Sequence, residues 1–219
     1  MTATQKNSSS SEAAVWFITG CSTGFGREVA TQALARGYRV VVTARNLADV
    51  KGFAQENALV LALDVTDELQ IEAAVTAAEK KFGHIDVLVN NAGIGYFSSA
   101  EAGEDARIER VFAVNVFGLG RVIDTVLPGM CERHRGFIVN FASLGELRAF
   151  PALGYYNASK FAVEGLSKAL WQDVEPLGIN VMLVEPSDFR TDWADRPPKV
   201  RITSTTTRRR WGRTSRSCA

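Results

Sequence analysis

The sequence predicts an α/β chain built on a doubly wound parallel sheet, and two features predict it. Six short apolar runs recur along residues 14–185, and helix-patterned stretches lie between them. Runs of this kind suit strands covered on both faces. Their alternation with helices implies right-handed crossovers between parallel neighbours. The first strand is expected at 14–19 (AVWFIT), ending at Gly20. A helix follows over 24–36 and stops at Gly37. The second strand covers 38–44 (YRVVVTA), with a second helix over 47–56. The third strand, 58–63 (ALVLAL), ends at Asp64. Thr66 reads as the N-cap of the next helix, because its hydroxyl precedes the acidic first turn of Asp67 and Glu68; that helix runs to Phe82. A fourth strand covers 85–90 (IDVLVN), and one long helix covers 104–130. The fifth strand is 136–142 (GFIVNFA). A helical region at 151–175 ends at Pro176 and Gly178, and the sixth strand is 179–185 (INVMLVE). No 20–50-residue repeat is present.

Composition narrows the class. The 219 residues are 46% hydrophobic and 22% charged. That excludes a disordered, collagen-like or disulfide-scaffold chain. No apolar run approaches the ~20 residues of a membrane helix, so no membrane association is expected. Cys21, Cys131 and Cys218 are widely spaced, and His84 and His134 are the only histidines. Neither set has metal-ligand spacing, so no metal is expected, and a reducing cytoplasm fits. The net charge of +1 hides an asymmetry: residues 1–195 carry −7 and residues 196–219 carry +8. The acidic body argues against a nucleic-acid surface.

Four motifs carry chemistry. Between the first strand and first helix stands Thr19-Gly20-Cys21-Ser22-Thr23-Gly24-Phe25-Gly26. Glycines permit a tight turn and close approach to a phosphate, and the helix N-terminus offers free N–H groups. The Ser22 and Thr23 hydroxyls add donors. Arg45 follows the second strand, where an arginine favours a ribose 2′-phosphate and an acidic residue a free 2′-hydroxyl. It therefore points to NADP(H) over NAD(H). Asp64, at the end of the third strand, has two compatible roles: accepting from an adenine amino group, or capping the next helix. Asn90-Asn91-Ala92-Gly93 ends the fourth strand, at the carboxyl edge where open α/β sheets bind ligands. Tyr156 and Lys160 are four apart and share a helix face. An ammonium beside a phenol favours phenolate and lowers the tyrosine pKa from ~10, giving a general acid usable near neutral pH. Ser143, just past the fifth strand, is placed to bond the same substrate oxygen. Asn115, inside the long helix, offers an amide to tie Lys160 to solvent through water.

Taken together, these motifs resemble the short-chain dehydrogenase/reductase family, in its branch of chains near 250 residues. The resemblance covers roughly residues 14–195. It rests on TGCSTGFG, Asp64-Val65, NNAG, Asn115, Ser143 and Tyr156-Asn157-Ala158-Ser159-Lys160, in the family's order and spacing. It implies a Rossmann-like sheet of seven strands, a homodimer or homotetramer, and hydride transfer between a nicotinamide and an alcohol or carbonyl. Tyr156 matches the catalytic acid/base, and Lys160 the residue that lowers its pKa and bonds the nicotinamide ribose. Ser143 matches the substrate-oxygen donor, and Asn115 the proton-relay residue. Gly20, Ser22, Thr23, Gly24, Gly26, Arg45, Asp64, Val65, Asn91, Ala92 and Gly93 fall on the cofactor contacts. Pro186 does too, although Ser187 stands where the family has glycine.

The resemblance stops near Asp195. Residues 1–13 are expected to be a disordered leader, 14–195 a dinucleotide-binding catalytic domain, and 196–219 a basic disordered tail without a seventh strand. The abrupt charge change suggests a frame shift near Arg196, which reading the coding DNA in its other two frames would test. The rival view is a natural basic tail whose Trp211 stacks on nucleic acid. The expected function is an NADP(H)-dependent oxidoreductase. The alternative is a catalytically impaired dinucleotide-binding module. The apolar loop at 147–153 suggests an apolar substrate wall.

Overall fold

Among the described residues, six parallel strands form one sheet in the order β3-β2-β1-β4-β5-β6. The structure, a computed structural model, describes residues 13–143, 149 and 151–186. The expected leader up to residue 12, the basic tail, the seventh-strand position, and residues 147, 148 and 150 of the apolar loop lie outside them. Ala13, placed in the leader above, is held: its carbonyl accepts from Arg39 Nε at 2.7 Å.

The strands are β1 (Val15–Ile18), β2 (Arg39–Ala44), β3 (Ala58–Ala62), β4 (Val87–Asn90), β5 (Gly136–Phe141) and β6 (Ile179–Val184). Their side chains alternate between two apolar clusters. Val15, Phe17 and Val41 join one; Ile18, Val40 and Val42 join the other. This period of two explains why the runs read as continuously apolar: both faces are covered. The helices α1 (Gly24–Ala35), α2 (Glu68–Phe82), α3 (Asp105–Phe112), α4 (Leu119–Glu132) and α5 (Gly154–Val174) make every crossover but that from β2 to β3. α2, α4 and α5 bury Ile71, Val122 and Val163 in the first cluster; α1 buries Ala30 and Ala33 in the second. The sheet order reverses at β1, between β2 and β4. Ligands of open α/β sheets bind at the carboxyl ends beside such a reversal.

Three expectations need correction. Residues 47–56 form two single 3₁₀ turns, Leu47–Asp49 and Lys51–Phe53, instead of a helix. The Asn46 side chain accepts from Ala48 N at 3.1 Å and starts a tight turn. Val50 then drops fully into the core with non-helical backbone angles (φ −121°, ψ −3°). The cap of α2 is Asp67, which accepts from Gln70 N at 3.1 Å. The Thr66 hydroxyl is instead turned to Asp64 and Arg110. The long helix is interrupted by a π-helical turn, Ala113–Gly118, between α3 and α4. Over Asp105–Glu132 its 18-residue mean hydropathy reaches 1.4, enough by length and composition to cross a membrane. Here that apolarity faces the sheet, where Val111, Val114, Leu119, Val122, Val126 and Met130 are buried.

Candidate active site

The glycine loop follows β1 and opens into α1. Gly20 has φ +72°, and a Cβ there would lie 2.8 Å from Ala92 Cα. A Cβ on Gly26 would lie 2.3 Å from Asn91 Nδ2 and 2.5 Å from the Gly20 carbonyl. Both positions therefore need glycine so that α1, the loop and the end of β4 can touch. Thr19 is the hub of this contact. Its hydroxyl donates to the Val89 carbonyl (3.3 Å) and accepts from the N–H groups of Asn91 and Ala92, each at 3.0 Å. Asn91 Nδ2 returns bonds to the carbonyls of Thr19 (3.0 Å) and Gly20 (2.9 Å). Asn91 thus holds the loop in place through its amide donors.

The loop presents a donor set that fits a dinucleotide pyrophosphate. Thr23 is the N-cap of α1 with no side-chain cap bond, and the first turn carries no acidic residue. This turn lies on the positive end of the helix dipole, which favours an anion. Ser22 is half-buried, and its carbonyl accepts from Arg27. Cys21 N donates to the Thr43 carbonyl at 2.8 Å, so the loop is pinned to β2 two residues before Arg45. Arg45 itself is exposed. Burial pushes the Cys21 thiol up to about 12, which keeps it an unreactive thiol.

At the end of β3, Asp64 accepts from the Thr66 N–H (2.9 Å), the Thr66 hydroxyl (2.7 Å) and Arg110 Nη2 (2.9 Å). Burial raises its pKa, but the Thr66 bonds and the Arg110 guanidinium outweigh that and hold the carboxyl below its ordinary value. Val65 is buried beside it, against Gly118.

The second half of the site is carried by α5. Tyr156 and Lys160 are both buried, with Lys160 Nζ 5.9 Å from the phenol ring centroid. Lys160 Nζ donates to the Phe141 carbonyl at the end of β5, at 2.7 Å. Ser143 follows two residues later and is half-buried. Gly93 faces this pair: a Cβ there would lie 3.8 Å from Lys160 Nζ and 3.4 Å from Asn115 Oδ1. Asn115 sits in the π-turn. Its amide accepts from Ile94 N (2.8 Å) and donates to Ile94 O (3.0 Å) and Ser159 Oγ (3.1 Å). The amide expected to lead from Lys160 toward solvent is therefore engaged with the strand-end loop and α5. Ser159 Oγ passes the chain on to the Tyr156 carbonyl at 2.7 Å. Pro186 ends the described chain two residues past β6, half-exposed.

The glycine loop, Arg45, Asp64, Val65, Asn91, Ala92, Gly93, Ser143 and Pro186 follow strand ends at the carboxyl edge of the sheet, and Asn115, Tyr156 and Lys160 come from the helices. Thr19 and Ser159 stood within the quoted motifs, but without a role of their own. Arg110 escaped sequence reasoning. A buried ladder also escaped it: Asn90 Nδ2 to Asn140 Oδ1 (3.0 Å), then Asn140 Nδ2 to Ser167 Oγ (2.8 Å).

The family model of the short chain dehydrogenases matches residues 14–199. The chain belongs to that family. Among curated proteins it is 40% identical to oxidoreductase BOA17 of Botryotinia fuckeliana, over 82% of this chain and 67% of that protein. It is 38% identical to a 3-ketodihydrosphingosine reductase of Bacteroides thetaiotaomicron, over 81% of this chain and 65% of that one. The chain therefore spans about two thirds of the length of these relatives. Among solved structures, a short-chain dehydrogenase of Streptomyces avermitilis superposes with a TM-score of 0.87 at 35% identity, over 93% of this chain and 77% of that one. A 3-ketoacyl-(acyl-carrier-protein) reductase of Brucella melitensis, complexed with NADH, gives 0.81 at 35%, over 84% and 79%. ElxO with NADP bound gives 0.78 at 31%, over 82% and 75%. The dehydrogenase fold of this chain is thus a Rossmann-like parallel sheet, six-stranded among the described residues, with helices on both faces.

Proposed function

We propose that this short chain dehydrogenase is an NADP(H)-dependent oxidoreductase acting on a small-molecule alcohol or carbonyl, with Tyr156 as general acid/base. The observation that carries the reading is the buried Tyr156–Lys160 pair on α5, facing Gly93 and the strand ends. The glycine loop and the N-terminus of α1 would hold the pyrophosphate. Asp64 and Val65 would lie toward the adenine, and Lys160, with Asn91, Ala92, Gly93 and Pro186, toward the nicotinamide half. The bound nicotinamide supplies or accepts the hydride. Everything else falls to the chain. In the reducing direction the Tyr156 hydroxyl gives its proton to the substrate oxygen, and the Lys160 charge stabilises the phenolate left behind. The Phe141 carbonyl fixes that charge on the inner side of α5. The Ser143 hydroxyl bonds the same substrate oxygen, and the Asn115–Ser159 chain steadies the backbone beneath Tyr156.

Support for NADP(H) comes from Arg45, exposed past the end of β2 and bearing a charge suited to a 2′-phosphate. Exposed Phe117, Phe161, Leu166 and Trp171 on the π-turn and α5 support pairing of these helices in a homodimer or homotetramer. A cytoplasmic setting rests on cysteine usage.

Parallel titrations of the full chain with NADPH and NADH test the cofactor, followed by turnover on a carbonyl panel. NADPH is expected to bind about tenfold tighter or more, because Arg45 gains a charge-assisted partner. Tyr156→Phe is expected to lower turnover by about 10²–10⁴ and leave NADPH affinity within about twofold. Equal turnover in that variant removes Tyr156 from the mechanism. Saturable binding without turnover on any carbonyl would favour the impaired binding module instead.

A further inference from the structure

The environment of Asp64 assigns a role to a residue outside the expected site. A carboxylate offers about four acceptor positions on its two oxygens. Thr66 takes both positions on Oδ1, through its N–H and its hydroxyl. Arg110 Nη2 takes one on Oδ2 at 2.9 Å. One position on Oδ2 is left, on a side chain only 27% exposed at the carboxyl edge of the sheet. Arg110 does not hold Asp64 alone. Its other terminal nitrogen, Nη1, donates to the Thr66 hydroxyl at 2.9 Å. The guanidinium fork therefore locks both members of the turn at once and fixes which way the last acceptor position faces. A lysine has no such fork. Arg110 comes from α3, more than forty residues away in sequence, so this orientation is set by tertiary packing.

We propose that Arg110 is a positioning residue for base recognition. Through Asp64 and Thr66 it aims the one remaining carboxylate lone pair at a hydrogen-bond donor on the purine, and so selects an adenine bearing an exocyclic amino group over a base with a carbonyl oxygen there. The inference rests on the dinucleotide reading above, and it concerns binding, not turnover. A donor on the base completes the carboxylate's bonds. A carbonyl oxygen in that place would meet a carboxylate aimed at it, lone pair to lone pair. Without the fork, the Asp64 side chain is able to turn away, and both bases would be treated alike.

Calorimetric titration of the full chain tests this with two ligands: NADP⁺, and its analogue with hypoxanthine in place of adenine. Wild type is expected to bind NADP⁺ about tenfold more tightly than the analogue, the scale of one hydrogen bond to a charged group. In Arg110→Gln that preference is expected to fall to about threefold or less. Arg110→Lys should retain little of it, because one ammonium cannot serve Thr66 and Asp64 in the same geometry. Using the ratio of the two ligands removes any general effect of the lost charge on an anionic cofactor. The Arg110 side chain is 41% exposed, so the variants are expected to fold, which circular dichroism checks. An unchanged preference in Arg110→Gln, with both ligands still bound, overturns the inference alone. Failure of wild type to bind either ligand overturns the dinucleotide reading and this inference with it.

Discussion

At Asp64 three donors converge on one carboxylate, and the sign of its titration follows from them. The folded carboxyl ionises below its ordinary value. The charged form therefore stabilises the fold above the unfolded pKa of about 3.9, and that contribution is lost as pH falls through the folded pKa. Asp64→Asn is expected to melt below wild type at pH 7. The gap should close as the wild-type carboxyl protonates under acid conditions, measured by thermal melts from pH 7 down to pH 2. A gap constant with pH would mean the charge contributes nothing. The sequence exposed Asp64, because an acidic residue ending an apolar run is conspicuous. Arg110 was invisible, since nothing in ERVFAVN distinguishes it from a solvated helix arginine. The same contrast separates Tyr156–Lys160, legible from their spacing on one helix face, from Ser159, whose part depends on Asn115 reaching it across the fold.

Elements follow the same division. The six strands were legible because a run covered on both faces needs apolar side chains at every position, and each bound lies within two residues of the structure. Helix type was less legible where side chains compete for backbone groups. Asn46 turns the chain after β2 into 3₁₀ geometry, and the bonds of Thr66 to Asp64 and Arg110 leave capping to Asp67. Asp67→Ala is therefore expected to cost about 1 kcal/mol of stability in denaturant melts, with dinucleotide affinity unchanged. Thr66→Val should instead weaken NADP⁺ binding, because it empties one side of the Asp64 cluster. Equal loss of affinity in both variants would contradict this separation of cap from site. The π-turn could not be read from periodicity, because one wide turn inside 28 residues leaves the apolar stripe nearly intact. Its effect is local and large: Asn115 meets Ile94 and Ser159 at once.

Among the described residues the sheet ends in β3 on one side and β6 on the other. β6 lies at the end of the sheet and carries no charge along Ile179–Val184. Met182 is about half exposed, at 45%. Sheet edges of this kind pair with other chains unless a charge interrupts them. Met182→Lys is expected to reduce self-association at high concentration, measured by light scattering, with NADPH affinity unaltered because β6 lies two strands from β4. Unchanged scattering would place the sticky surface elsewhere. The middle of the sheet is tied together by contrast, and that tie bears on how a ligand is held. Thr19 and Asn91, 72 residues apart in sequence, exchange bonds across β1 and β4. The phosphate loop is thus held by the protein's own bonds. Bonds of this kind lower the ordering that a bound dinucleotide must impose on the loop, so more of the entropy cost of capture falls on the ligand's own rotors.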